Sequence, residues 1–187
     1  EEKKRMQQAG RVKIPTGLFV LWVNGVRNRA SYAGDETISR IVYTYSSMLL
    51  RLACTRLDDP ADAEDVVQEV FLKLLTARPS FRDSEHEKAW LIRTTLHRAS
   101  DLRRSAARRN VPLEEAAQAA ASQAGSELLT AVRALPEPYS AVIHLYYYEG
   151  YSIKEIAKLL GVPAPTVGTR LARGRERLRR LLKEDDA

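Results

Sequence analysis

Cysteine is almost missing from this chain: Cys54 is the one thiol among 187 residues. A lone cysteine closes no internal disulfide, so nothing points to an oxidising compartment. Its place in an apolar helical stripe marks it as a small core residue. Histidine is nearly as rare, with His86, His97 and His144 scattered along the chain. No Cys/His cluster has metal-ligand spacing, so neither metal nor cofactor is expected. Glycine (9) and proline (8) are sparse, which favours helices over a turn-rich sheet protein. Long apolar runs are absent too. The stretch Gly17–Val23 lies far short of the roughly 20 residues a membrane span needs, so no stable membrane insertion is expected. No nucleophile–base pair stands out, which excludes an obvious enzyme.

The charge that is present is unevenly placed. The net charge is +6, but Asp58 to Glu69 holds six acidic residues and no basic one. Leu91 to Arg109 holds six arginines against one aspartate, and Gly150 to Lys183 nine Lys/Arg against two Glu. Two basic segments around an acidic one suggest two polyanion contacts and a different partner between them. Three solvated helix faces would be the plain alternative.

Hydrophobic spacing organises the chain into helices. Ile38, Ile41, Val42, Tyr45, Leu49 and Leu52 recur at three- and four-residue steps, predicting a helix over about 35–57. Asp59-Pro60 caps the next helix, and Asp62, Glu64 and Asp65 suit its positive end. That helix runs to about Ala77. Its buried stripe is Ala63, Val66, Val67, Val70, Phe71 and Leu74, leaving Asp62, Asp65, Gln68, Glu69 and Lys73 outside. After a loop from Arg78 to Ser84, a third helix begins near Glu87 and carries Trp90 into an arginine-rich end. Aromatics beside arginines can stack unpaired bases, although a lone tryptophan is as readily core. Residues from about Val111 to Gly125 have a linker's composition. Beyond it, Leu128, Leu129, Val132 and Leu135 form a short stripe stopped by Pro136, and a further helix from about Pro138 ends at Glu149-Gly150.

The most informative segment follows. Ser152-Ile153-Lys154-Glu155 is a capping box. It opens a short helix with Ile153, Ile156, Ala157 and Leu160 inward, and Gly161-Val162-Pro163-Ala164 turns the chain. Gly161 suits the left-handed corner of a tight helix–turn–helix, and Val167 packs back into it. The second helix carries one stripe of Val167, Leu171, Gly174, Leu178 and Leu181, and another of Thr166, Arg170, Arg173, Arg177 and Arg180. An arginine-rich helix face of this kind fits a DNA major groove.

Taken in order, these motifs resemble the extracytoplasmic-function sigma factors, group 4 of the sigma-70 family. Asp62–Leu74 looks like family region 2.2. Ala89-Trp90-Leu91-Ile92-Arg93, with Asp101 and the arginines after it, looks like regions 2.3 and 2.4. Leu135-Pro136-Glu137-Pro138-Tyr139 and His144–Ser152 resemble region 4.1 and its junction with region 4.2, and Ile156–Leu182 resembles region 4.2.

The resemblance implies an all-α fold of two small helical domains, sigma region 2 over 35–110 and a sigma region 4 helix-turn-helix over 126–187. The linker is 111–125, and 1–34 is a basic N-terminal extension without an assigned role. It implies a cytoplasmic protein that binds bacterial RNA polymerase core, at the β′ clamp helices and the β flap, and directs promoter-specific initiation. Asp62, Asp65, Gln68 and Glu69 would meet polymerase. Trp90, Arg93, His97, Asp101, Arg103 and Arg104 would melt and read the −10 element, with Ser80, Phe81 and Arg82 in the loop that captures a flipped base. Thr166, Thr169, Arg170, Arg173 and Arg177 would read the −35 element. A restraining anti-sigma factor is a possible further partner. The sequence departs from the family pattern at His97, Gly168 and Gly174, and the two glycines suggest a weakened −35 grip, since each costs a helix up to about 1 kcal/mol relative to alanine. Two other readings are a self-sufficient helix-turn-helix regulator, which would need no acidic Asp62–Glu69 face, and a membrane-associated regulator anchored by Leu18–Val23.

Overall fold

The computed structural model of the chain describes residues 36–108 and 125–184. The N-terminal run Gly17–Val23 and most of the expected linker lie outside the described residues.

Helix α1 spans Glu36–Cys54, α2 Pro60–Ala77 and α3 Ser84–Arg108. These three pack on one another and form the first half. The second half contains α4 (Gly125–Ala134), α5 (Glu137–Ile143) running into a π-helical turn (His144–Tyr148), α6 (Ile153–Leu160) and α7 (Ala164–Glu184). No strand occurs among the described residues.

Helix α1 is the centre of the first half. Of the expected stripe, Ile41, Val42, Tyr45, Leu49 and Leu52 are buried and Ile38 is partly buried, and Met48, Leu50, Ala53 and Leu57 are buried as well. One helix face cannot account for so many buried positions. They arise because α1 packs on both α2 and α3, and its residues Arg51, Met48 and Cys54 also meet the second half. Cys54 is a buried free thiol, as its stripe predicts, and burial raises its pKa.

Helix α2 starts as the sequence predicts: Asp59 accepts from the Ala61 N–H at 2.8 Å and Pro60 follows it. The six expected core residues, Ala63 to Leu74, are all buried. Arg78 closes the helix with φ +42°, its N–H bonded to Leu74 O. Helix α3 begins three residues before the expected Glu87. Asp83 initiates it, accepting from the His86 N–H at 2.7 Å through its carboxylate, as short polar side chains do at helix starts.

In the second half, α5 does not continue to Glu149 as a regular α-helix. Its last turn widens into the π segment, and Gly150 at φ +78° then stops it. The capping box on α6 is present: the Ser152 N–H donates to Glu155 Oε2 at 2.7 Å, and the Glu155 N–H to Ser152 Oγ at 3.3 Å. The inward face of α6 differs from expectation. Ile156 is buried as expected, Ala157 and Leu160 are partly buried against the core, Leu159 is buried too, and Ile153, the first residue of the helix, is 36% exposed. Gly161 holds the corner at φ +68°, with its N–H on Ala157 O, and Val167 is fully buried behind it.

The buried residues of both halves form one hydrophobic cluster, with α3 lying along α6. Among the described residues, no helix is long and apolar enough to cross a membrane.

Candidate polymerase and promoter-DNA interfaces

The proposed functional residues lie on three surfaces. The first is the outer side of α2. Asp65 and Glu69 are exposed, Asp62 and Gln68 half-buried. Partial burial raises the Asp62 carboxyl pKa, with Asp59 and Asp65 adding to the effect. Positions 65, 68, 69 and 72 follow three- and four-residue steps, so they share one face. That brings in Leu72, a leucine 52% exposed to solvent. The sequence stripe of α2 leaves Leu72 off the buried side but assigns it no role. Glu69 also has an internal duty, an ion pair with Arg98 of α3.

The second surface is α3 and the loop before it. Ser80 and Arg82 are exposed. Phe81 packs edge-on against Trp90, ring centres 5.9 Å apart, and against His86 at 5.7 Å. The Arg82 N–H points at His86 Nδ1 at 3.4 Å. The loop and the start of α3 are thus one aromatic unit, and Trp90 is half-buried, with part of its ring in contact with the core and part open. Arg93, His97, Asp101 and Arg104 follow on one side of α3. Arg104 donates to Asp101 Oδ1 at 2.6 Å, and His97 Nδ1 lies 3.0 Å from Asp101 Oδ2. The Arg104 hydrogen bond is foremost in holding the Asp101 carboxyl below its usual range. Asp101 therefore holds both Arg104 and His97 in place. Arg103 is exposed on the same helix.

Arg56 was not anticipated. It is a buried arginine, 7% exposed, hydrogen-bonded to Ser100 Oγ and ion-paired with Glu137 Oε2 at 3.2 Å. Burial is the main influence lowering its pKa, with Arg103 and Arg104 adding to it and Glu137 opposing.

The third surface is the α6–α7 unit. Arg173 and Arg177 are exposed, Thr166 and Arg170 half-buried. The Arg177 guanidinium lies 5.3 Å from the centre of the Tyr139 ring, a cation–π contact that aims the side chain. Thr169 donates its hydroxyl to Pro165 O at 3.0 Å, leaving its oxygen free to accept. The two glycines behave differently. Gly168 has open space where a side chain would project. Gly174 is buried under α5, and a Cβ there would stand 3.0 Å from Ile143 Cγ1 and 3.4 Å from Tyr139 Cβ. Gly174 therefore serves close helix packing.

No group of three or more His, Cys, Asp or Glu able to hold a metal ion occurs among the described residues. The cationic surfaces and the acidic, leucine-bearing one suit binding.

Comparison with known proteins agrees with this geometry. Residues 41–109 match the family description Sigma-70 region 2, and residues 126–178 match Sigma-70, region 4. The chain is 34% identical over 159 residues to the ECF RNA polymerase sigma factor SigM of Mycobacterium tuberculosis, covering 82% of this chain and 81% of that protein. It is 29% identical over 182 residues to the ECF RNA polymerase sigma factor SigW of Bacillus subtilis, covering 81% and 92%. Among solved structures, the fold is like that of the sigma factor RpoE in complex with the anti-sigma factor NepR from Bartonella quintana, with TM-score 0.63, 22% identity and coverage of 79% of this chain and 98% of that one. CnrH in complex with the cytosolic domain of CnrY gives TM-score 0.58 and 26% identity, covering 84% and 95%. On its two matched regions and its curated relatives, the chain belongs to the sigma-70 family, in the extracytoplasmic-function branch.

Proposed function

We propose that the chain is an RNA polymerase sigma factor that recruits core polymerase to promoters through three separate surfaces. The observation that carries this reading is the coexistence, on one short chain, of a helix-turn-helix with an outward arginine face and an acidic helix bearing an exposed leucine. A self-sufficient DNA binder has no use for the second feature.

In this reading Asp62, Asp65, Gln68, Glu69 and Leu72 dock on the β′ clamp helices. Leu72 supplies the apolar contact and the carboxylates supply orientation. Phe81 and Trp90, with Ser80 and Arg82 beside them, stack and hold unpaired −10 bases, at roughly 1–3 kcal/mol per stacked base. Arg93, His97, Arg103 and Arg104 follow the strand's phosphates, with Asp101 positioning His97 and Arg104. Arg170, Arg173 and Arg177 enter the −35 major groove with Thr166 and Thr169, and the second half also meets the β flap. Two modest DNA contacts on one tether gain from high effective concentration.

The reading assigns no catalysis to this chain and places it in the cytoplasm with polymerase. The sigma factor RpoE that shares this fold is bound to the anti-sigma factor NepR, and a protein of that kind is a proposed partner here. Run-off transcription with purified core polymerase on a promoter library tests the function. Promoter-specific transcripts should appear only when both proteins are present. Tight duplex binding without polymerase, and no transcript with it, would favour the regulator instead.

A further inference from the structure

Where the two halves meet, the chain brackets a cleft. Arg51 of α1 donates from Nε to Glu149 Oε1 at 2.9 Å and from Nη2 to Oε2 at 3.1 Å, just past the π turn. Arg133 of α4 donates to Cys54 O at 2.6 Å. Arg93 Nε donates to Leu159 O at 2.9 Å, an acceptor left free at the end of α6. These bonds along the seam hold α3 beside α5 and α7, and an open cleft of about 320 Å³ lies between them. That volume falls at the lower end of the range for small-molecule sites, roughly 300–1,000 Å³.

The cleft carries an excess of positive charge. Arg56, Arg93, Arg104 and Arg170 line it, with His97 beside them, and Glu137 is the one carboxylate among the lining residues. Arg56 forms a buried part of the wall, 7% exposed. Its Nη1 meets Ser100 Oγ and Glu137 Oε2, its Nη2 donates to Glu137 O at 3.3 Å, and its Nε has no partner. That Nε is closed to solvent, so Arg56 offers the cleft charge more than a bond. Burial pushes the Arg56 pKa down, and Arg103 and Arg104 push it the same way, as an excess of like charge does. Arg104 is paired with Asp101. Arg170 is half-buried and has no hydrogen-bond or ion-pair partner among the described residues. Leu96 and Val162 give the cleft an apolar side, where the field of these cations is less screened.

We propose that this cleft is a binding site for a compact polyphosphate group, a diphosphate or triphosphate held between α3 and α7. Guanidinium forks match phosphate oxygens two at a time. Four arginines against one carboxylate exceed what a single phosphate of about −1.5 to −2 balances. The arginines also stand on different elements, so a linked pair of anionic centres reaches more of them than one centre does. The site is independent of the promoter assignments, although Arg93, His97, Arg104 and Arg170 serve both, and a failed run-off experiment leaves it untouched. Two sources offer the group: free inorganic polyphosphate and the phosphate tail of a nucleotide.

Titration calorimetry of the full chain at fixed ionic strength tests the site with inorganic pyrophosphate, tripolyphosphate, ATP and sulfate. Pyrophosphate and tripolyphosphate should bind once per chain, at least about tenfold tighter than sulfate, the factor that one further charge-assisted contact supplies. Arg170→Ala breaks no contact of the fold and should weaken pyrophosphate binding about tenfold. Arg179→Ala removes an equal charge from an exposed position outside the cleft and should change it by less than about twofold. Glu137→Gln removes the opposing carboxylate and should tighten binding about fourfold. Thermal melting checks that each variant folds, and pyrophosphate should raise the melting temperature of the unaltered chain more than that of Arg170→Ala. ATP binding as tightly as tripolyphosphate assigns the group to a nucleotide, whereas inorganic binding without ATP assigns it to free polyphosphate, and either result supports the site. Equal affinity for sulfate and pyrophosphate, equal losses in Arg170→Ala and Arg179→Ala, Glu137→Gln binding no tighter, or no binding at all would overturn it.

Discussion

Gly174 of α7 lies so close to Ile143 of α5 that a Cβ on it would stand 3.0 Å from Ile143 Cγ1. The other near atoms, Ile143 Cδ1 at 3.3 Å and Tyr139 Cβ at 3.4 Å, leave little room for retreat. Gly174→Ala gains up to about 1 kcal/mol of helix propensity, but overpacking costs roughly 1–3 kcal/mol, so the variant should melt at lower temperature. Gly168→Ala meets no atom within 4 Å and should be stabilised by about 0.5–1 kcal/mol. Parallel melting curves of the two variants check the contrast.

Glu149 makes the seam sensitive to acid. Burial opposes its ionisation, but the interactions with His144 and Arg51 outweigh that and hold its carboxyl pKa below the ordinary value. A carboxylate with a lowered pKa stabilises the folded chain above its unfolded pKa, about 4.3, and loses that contribution as pH falls through its folded value. Glu149→Gln should therefore cost about 1–3 kcal/mol at pH 7, and progressively less as pH falls below about 4.3. Melting temperatures measured against pH give the answer, and a gap that widens on acidification would count against the assignment.

The capping box sets the start of the helix-turn-helix. Ser152→Ala leaves the Glu155 N–H without its partner at an exposed helix end. A loss of about 1 kcal/mol is expected. Restoration by Ser152→Asp, measured by chemical denaturation, would distinguish a capping effect from a change in DNA contact.

The three surfaces should separate by mutation. Arg173→Ala should weaken −35 duplex binding and reduce its salt dependence by about one counterion. Asp65→Ala with Gln68→Ala, or Leu72→Ala alone, should weaken polymerase binding and leave DNA affinity intact. Fluorescence titration of labelled core polymerase checks the second claim. Unchanged affinity in both would remove α2 from the polymerase interface.

Much of this protein was legible before any coordinates. The steps of three and four in Ala63–Leu74 fix which side of α2 is buried, because helical geometry leaves no other assignment. Ser152, Glu155, Gly161 and Val167 mark the helix-turn-helix by local chemistry alone: a cap, a left-handed corner and a small buried wedge. Non-local packing was not legible. Whether Gly174 is a defect or a close-approach point depends on Ile143, 31 residues earlier. Nothing in the sequence singles out Arg51, Arg56 and Arg133, because their partners Glu149, Glu137 and the Cys54 carbonyl lie 79 to 98 residues away. Periodicity and caps are encoded within a few residues of each other and so survive in the sequence. The seam between the halves is built from pairs that only folding brings together.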